Sequence, residues 1–365
     1  MTKKPLSEKI TNLPVETRDR KAVTVPNRAA KRAAAKNGSL HKAKTAKNDE
    51  FYTRLEDIEE ELKNYRKYFK GKIVLCNADD PEWSNFFRYF AINFSFLGLK
   101  KLIATHYETN GKSYALVVDC NLDVNGDGKI DLKDAVRVEL EGNGDFRSEE
   151  CVKFLDEADV VVTNIPFSLA REYLKVMKDS KKKFLFLGNR NMITYKEFFA
   201  EIKANRMWLG VSPMSCTWFE VPQLPEYKKE GNRFKIENGK WYRSLGNACW
   251  FTNIPHSKRN TPLDLVGNEY SPEKYPKYDN YDVIEVSKVS EIPDGYNGVM
   301  AVPITFLDKY CPDQFEIVSC NDYRVNNAIP TKAHGLIKDK EGTINGKATY
   351  VRICIKAKPA KKGKK

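Results

Sequence analysis

The chain has 365 residues, with 62 Lys and Arg against 49 Asp and Glu for a net charge of +13, and 41% hydrophobic residues; that length can bury one large α/β core with an appended part, or two modest cores, without staples. No apolar signal core opens it and no stretch approaches the length of a membrane span, so export and insertion are not expected and a cytoplasmic location is. Its eight cysteines are scattered with no C-x-x-C pair, and its four histidines share no metal-ligand spacing with them, which argues for reduced thiols and against a disulfide framework or a zinc site.

The charge is unevenly placed. Residues 1–47 carry thirteen Lys and Arg against three Asp and Glu, and residues 356–365 add six lysines and no acid, so the body between them is near −3. Both ends are poor in large apolar residues, which predicts disordered basic arms that neutralise phosphates and raise non-specific affinity for nucleic acid. Solubility is the alternative reading for both, and a cloning scar is a further one for the C-terminal tail. The boundaries expected are a basic arm over 1–47, a catalytic domain over 48–220, the remainder of the sheet with a target-recognition region over 221–330, and a C-terminal segment with its basic tail over 331–365.

In chain order, Leu55, Ile58, Leu62, Tyr65 and Phe69 share one helical face, and Gly71–Cys76 then reads as a buried strand. In "NADDPEWSNFFRYFAINF", Asp80 is placed to cap a helix with Pro81 at its first position, and Phe86, Phe87, Phe90 and Phe94 repeat at helical spacing. Strands are predicted at Lys101–Thr105, Ser113–Asp119, Asp159–Thr163, Lys183–Gly188 and Met207–Val211, with helices over 148–157, 168–178 and 194–204. This alternation is that of an α/β, doubly wound, mostly parallel sheet, whose ligands lie at the carboxyl ends of its strands.

One strand end stands out. The valine run of "DVVVTNIPFSLAREYL" stops at Asn164, and Ser168 is placed to cap the helix beyond, so Asn164-Ile165-Pro166-Phe167 would line the ligand crevice. Methylation of an exocyclic amine asks for such a set. The N6 lone pair of adenine is delocalised into its ring; an amide oxygen and a main-chain carbonyl accepting its two N–H groups draw it towards a tetrahedral, nucleophilic geometry. Pro166 stiffens the turn and Phe167 offers a stacking face. The tetrapeptide alone decides little, because "TNIP" recurs at Thr252–Pro255, ahead of a charged loop. Trp218, Phe219, Trp250 and Phe251 are expected in core or hairpin rather than against a base.

The ordered series "KNDEFYT", "VLCNADDPEWSNFF", "GDFRSEE", "VVTNIPFSLAREYL", "GNRNMITYKEF", "WFTNIPHSKR" and "GVMAVPITFLDKYCPDQFEI" resembles the EcoRI-type adenine-specific DNA methyltransferases over roughly residues 40–330. The resemblance implies a Rossmann-like class I methyltransferase with S-adenosylmethionine as cofactor, double-stranded DNA as substrate and a restriction endonuclease sharing its site as partner. Phe51, Tyr52 and Thr53 would hold the methionine part of the cofactor. Cys76, Asn77, Asp79, Asp80 and Pro81 would lie against it, Asp145 with Phe146 would meet its adenine, and Asn164, Pro166 and Phe167 would hold the target base. The glycine-rich cofactor turn common among methyltransferases is absent here. Ile165 replaces the second proline of the usual DNA motif and is similar to the form in ribosomal RNA adenine methyltransferases, so an RNA enzyme is one rival reading and a non-catalytic DNA-binding relative another.

"DVNGDGKIDLKD" also fits a calcium loop, with Asp123, Asn125, Asp127, Asp131 and Asp134 at ligand positions and Gly128 at the sharp turn. A strand leads in where a helix is usual, the last ligand is Asp, and "NGDGK" equally marks a tight turn.

Overall fold

The computed structural model describes residues 52–213, 218–221, 234–244, 247–320 and 342–359. Phe51, residues 1–47 and residues 360–365 lie outside the described residues. Strand β1 (Tyr52–Thr53) leads into helix α1 (Leu55–Leu62), which continues as a 3₁₀ turn through Tyr68. Then come β2 (Ile73–Cys76), α2 (Asn85–Ile92), α3 (Phe94–Leu97), β3 (Lys101–Thr105), β4 (Tyr114–Asp119), β5 (Val136–Glu139), α4 (Glu149–Glu157) and β6 (Val160–Asn164). They are followed by α5 (Ala170–Ser180), β7 (Lys183–Asn189), α6 (Lys196–Lys203), β8 (Trp208–Leu209), β9 (Trp218–Val221), β10 (Phe234–Glu237), β11 (Lys240–Ser244) and β12 (Ala248–Thr252). The last part holds β13 (Val283–Glu285), β14 (Val299–Pro303), β15 (Phe315–Cys320), β16 (Thr343–Ile344), β17 (Lys347–Ala348) and β18 (Arg352–Ala357).

The central sheet has eight strands in the order β5-β4-β3-β2-β6-β7-β12-β8. Its four middle strands, β3, β2, β6 and β7, run parallel; the pairings outside them are antiparallel. "Mostly parallel" therefore holds for the centre only. The cause lies in the connections: β3 to β4 turns straight back with no crossover helix, which allows only an antiparallel neighbour. Strand order reverses between β2 and β6, so the crevice of an open α/β sheet falls beyond Cys76 and Asn164.

Alternation along the strands divides the core. On β6, Val160 and Val162 face the layer of α1 and α2, with Phe86, Phe87, Phe90 and Trp250, while Val161 and Ile165 face the layer of α4, α5 and α6. The second cluster runs on through Phe198 and Ile202 to Phe315, Ile317, Ile353 and Ile355, so the sheet β13-β14-β18-β15 shares one continuous core with the central sheet. Burial on this scale, at about 25 cal/mol per Å² of apolar surface, is the main stabilising term.

Three local expectations are corrected. Helix α2 begins a turn later than Asp80: Ser84 is its cap, Oγ accepting the Phe86 N–H at 3.1 Å. Asp80 instead closes the preceding turn, its Oδ1 accepting the Glu82 N–H at 3.0 Å. Ser168 is exposed within a 3₁₀ turn (Phe167–Leu169) and caps nothing. Lys356 and Ala357 belong to β18 and pair with β14 and β15, because the alternating "RICIKA" buries Ile353 and Ile355; neither residue is part of a tail. All seven described cysteines are free, six of them buried.

Candidate active site

Loops following β2, β3, β5 and β6 converge at the carboxyl edge of the parallel strands. Gly144, at a φ of +76°, is pressed so close to the His106 carbonyl that a Cβ there would lie 1.8 Å from it, and the Glu108 N–H donates to the Asn143 carbonyl at 2.9 Å. The "GDFRS" turn is thereby locked onto the end of β3. His106 stacks on Tyr114, with Nδ1 3.6 Å from Asp80 and Nε2 3.8 Å from Glu108.

At the end of β2, Asn77 is buried and its Oδ1 accepts from the Tyr173 hydroxyl at 2.7 Å. Tyr173, fully buried on α5, packs its ring against Phe146 at 5.1 Å. One tyrosine thus joins the β2 turn to the "GDFRS" turn and leaves the Asn77 Nδ2 protons as donors to a ligand. It lies within the motif "VVTNIPFSLAREYL", but no role is read for it there. Its signal is a tyrosine on the buried face of α5 with Ala170, Leu174 and Met177, whose hydroxyl requires a partner. Cys76 is wholly buried, and burial, then the nearby Asp79 carboxylate, push its thiol pKa far up; only its main chain faces the crevice. Pro81 and Phe146 are buried as well.

Asp145 accepts from Arg147 through Nε at 2.9 Å, Nη2 at 2.6 Å and the main-chain N–H at 2.8 Å. Its pKa is held below the ordinary carboxylate value, first by the Arg147 side chain. The remaining lone pairs on its oxygens can still accept an amine.

The early segment arrives from the other end of the chain. Tyr52 and Thr53 pair with Glu220 and Phe219, and Asn85 Nδ2, at the start of α2, donates to the Thr53 carbonyl at 2.7 Å. Thr53 Oγ1, Thr105 Oγ1 and Thr163 Oγ1 are buried with no hydrogen-bond partner. Orphaned hydroxyls on buried residues invite a ligand, so Thr53, Asn77 and Asp145 form a donor and acceptor set that fits S-adenosylmethionine.

Asn164 ends β6 half-buried, followed by buried Ile165 and half-buried Pro166 and Phe167. The Ile165 N–H donates to Leu187 O at 3.2 Å, and no main-chain N–H among the described residues donates to the Ile165 carbonyl. The second "TNIP" is placed otherwise. Because β12 is antiparallel to β7, Thr252 emerges at the opposite edge, where Asn253 accepts from Phe184 N at 2.8 Å and donates to Lys182 O at 2.9 Å. Phe219, Trp250 and Phe251 are core, and Trp218 lies on the small sheet with Lys235 over its ring.

The acidic loop joins β4 to β5 at that same opposite edge. Asp123 accepts from Gly126 N and Gly128 N, Asn125 from Asp127 N, Asp127 from Lys129 N, and Asp131 from Lys133 N. Asp134, fully buried, accepts from Val124, Asn125 and Asp131, and the Asp131 N–H leads in lowering its pKa. No group of three or more His, Cys, Asp or Glu among the described residues is arranged to hold a metal ion.

A parallel centre with its crevice at the reversal of strand order, closed by an antiparallel strand set inside the last one, is the α/β sheet of the class I methyltransferases. The model of the family "Adenine-specific methyltransferase EcoRI" matches residues 39–358. The chain is 45% identical over 343 residues to the type II methyltransferase M.EcoRI of Escherichia coli, covering 90% of this chain and 99% of that one. It is 38% identical to M.MpnI of Mycoplasma pneumoniae and 37% identical to M.MgeORF184P of Mycoplasma genitalium, in each case over 87% of this chain and at least 97% of the relative. The chain belongs to the EcoRI-type adenine-specific methyltransferase family, and it is an S-adenosylmethionine-dependent enzyme. Among solved structures, YeaZ from Pseudomonas aeruginosa overlaps 46% of the chain at 9% identity and a TM-score of 0.17, too slight a likeness to bear on the fold.

Proposed function

We propose that the enzyme methylates adenine N6 at a specific site in double-stranded DNA, as the modification partner of a restriction endonuclease reading that site. The observation that carries this is position: the Asn164 turn lies at the strand-order reversal beside Asn77, whereas its twin at Asn253 braces main chain at the far edge. S-adenosylmethionine supplies an electrophilic methyl group on a sulfonium sulfur. Thr53, Asn77, Asp79 and Asp80 would hold it, with Asp145 meeting its adenine amine, and Cys76 and Pro81 contributing backbone and shape.

The target adenine sits too deep in a duplex to be reached, so it has to be extruded. Phe167, half-exposed at the crevice, would then stack on it, while Asn164 Oδ1 and the Ile165 carbonyl accept its amine protons. Both acceptors act most strongly as N6 becomes tetrahedral, which places their effect in the transition state. Residues 48–220 would supply catalysis and the later part target recognition. The acidic loop is assigned a role in the fold, closed by its own amides; calcium there would raise the melting temperature, and methyl transfer is expected to persist in a chelator.

Sequencing DNA from cells expressing the protein, with detection of N6-methyladenine, tests the reading. One methylated motif is expected. Labelled cofactor incubated with matched DNA and RNA must label the DNA; transfer to RNA alone would move the substrate class, and transfer to neither with no cofactor binding would make the chain a non-catalytic relative.

A further inference from the structure

A buried charge with no counter-charge among the described residues lies away from the crevice. After β12 the chain turns back along the edge of β8, where the His256 ring meets Leu209 O through Nε2 at 2.9 Å and Lys258 Nζ donates to Val211 O at 2.9 Å. Arg259 follows, only 8% exposed, its guanidinium 4.1 Å from the centre of the Trp208 ring and 5.6 Å from that of Tyr310. Its side chain makes no hydrogen bond or ion pair with any described residue, and Nη2 is buried without a partner. Two rings attract the cation through their faces. They accept none of its five N–H groups, and a buried guanidinium with no acceptor is strongly unfavourable.

His256, Lys258 and Arg259 line one cleft with Trp208, Asp308 and Tyr310. With its Nε2–H given to the Leu209 carbonyl and its pKa lowered by burial, the His256 ring is a wall of this cleft whose Nδ1 can only accept. The enclosed space is about 10 Å³, roughly one water. A whole phosphate ion cannot be enclosed, but one oxygen of a tetrahedral oxyanion resting at the mouth can enter and meet the guanidinium edge.

We propose that Arg259, with Lys258 at the rim, forms a phosphate-binding site on the β8 edge, and that it takes a phosphodiester of the DNA backbone. Burial holds the Arg259 pKa below the usual arginine value, and no carboxylate is among the groups that counter it. Fixed between two rings, the guanidinium presents a preorganised edge, and a phosphate supplies the acceptors that the protein withholds. Three strand spacings of about 4.8 Å separate β6 from β8 across the sheet, and from His256 to Lys258 the chain runs back along β8, from Leu209 to Val211, towards the Asn164 edge, so the duplex phosphates nearest this site are those flanking the target rather than at it. The DNA assignment rests on the function proposed above; the oxyanion site does not.

The test uses the full chain, its Arg259→Met and Arg259→Lys variants, inorganic phosphate as probe, and duplex DNA containing the methylated motif. Phosphate at matched ionic strength is expected to raise the melting temperature of the parent saturably, to do so less in Arg259→Lys, and to give Arg259→Met only the non-saturable rise of any excluded salt. Arg259→Met without phosphate is expected to melt no lower than the parent, because an unpaired buried charge is removed. On DNA, Arg259→Met should make the slope of log affinity against log salt shallower by about one. A phosphate response with an unchanged slope would keep the site and make free phosphate its ligand. No saturable phosphate response in the parent, together with an unchanged slope, would overturn it. Failure of the parent to bind DNA at all would instead overturn the proposed substrate and leave the phosphate measurement standing.

Discussion

Thr163–Pro166 and Thr252–Pro255 are the same four residues in the same order, and the fold separates them by reversing a strand. The first leaves a parallel strand at the ligand edge, with the Thr163 hydroxyl buried and unpartnered. The second leaves an antiparallel strand at the other edge, where Thr252 Oγ1 donates to Phe184 O at 2.7 Å and receives the Ile254 N–H at 2.9 Å. A short motif therefore acquires its role from the direction of the strand that carries it. Thr252 and Asn253 fasten the start of β7; Asn164 stands where a substrate can use it.

Exchange of each asparagine sharpens this contrast most. Asn164→Ala is expected to lower single-turnover methylation by at least the order of 10²-fold, with cofactor affinity and melting temperature nearly unchanged. Asn253→Ala is expected to remove roughly 1–3 kcal/mol of stability and leave turnover per folded molecule intact. The reverse pattern would exchange the roles of the two turns. Next in size, Phe167→Ala should weaken retention of the extruded adenine by about 1–3 kcal/mol, read as DNA affinity at a duplex mispaired at the target base, with S-adenosylmethionine binding unaltered.

Ile165→Pro follows. On sequence grounds the usual proline of the motif is interchangeable with Ile165, but the Ile165 N–H is donated to Leu187 O. The variant should therefore lose about 1 kcal/mol of stability while methylation survives, a separation that urea melts and single-turnover rates measure together. Deleting 1–40 and 360–365 should flatten the salt dependence of DNA binding and leave the methylated motif unchanged. Deletion from 356 is a different experiment, since it removes the end of β18 and should lower stability.

The smallest expected effect concerns Asp145. Its folded pKa is depressed, chiefly by Arg147, so the contribution of the pair is present above the unfolded carboxyl value and is lost as pH falls through the depressed one. Arg147→Met should thus lower the melting temperature near neutrality and converge with the parent in acid. Parallel curves at every pH would show that the pair adds nothing to stability.

Much of this was legible in the sequence, for physical reasons. Valine runs at 160–162 and the apolar strands at 73–76 and 183–188 announce buried strands, and Phe86, Phe87 and Phe90 announce a buried helix face. The two edges were not legible. Nothing in "SYALVVD" says that it turns back against β3, because a strand buried on one side reads alike in either direction. The cap at Ser84 was obscured by "DDP", three residues equally suited to a turn and to a helix start. In the candidate site, the position of Asn164 and Phe167 just past a buried strand was legible from the valine run that stops there. Tyr173 and His106 were not, since their partners, Asn77 and Asp80, lie 96 and 26 residues away in the sequence.

Glu61, on α1, is fully buried, and its carboxylate receives the Tyr65 hydroxyl at 2.7 Å, the Val211 N–H at 2.8 Å and the Ser212 N–H at 2.6 Å. Gly210 beside it has no room for a Cβ, which would fall 2.3 Å from Oε1. The two main-chain bonds span 150 and 151 residues, so they require β8 to be in place beside β12. Contacts of such sequence separation are slow to close. Late docking of helix α1 and of the β1 segment with Thr53 is therefore the expected order, which pulse-labelled hydrogen exchange during refolding would check. If Thr53 holds the cofactor as proposed, a chain trapped short of that step keeps its central strands and binds no S-adenosylmethionine, so cofactor binding during refolding would report the arrival of α1 rather than collapse of the core.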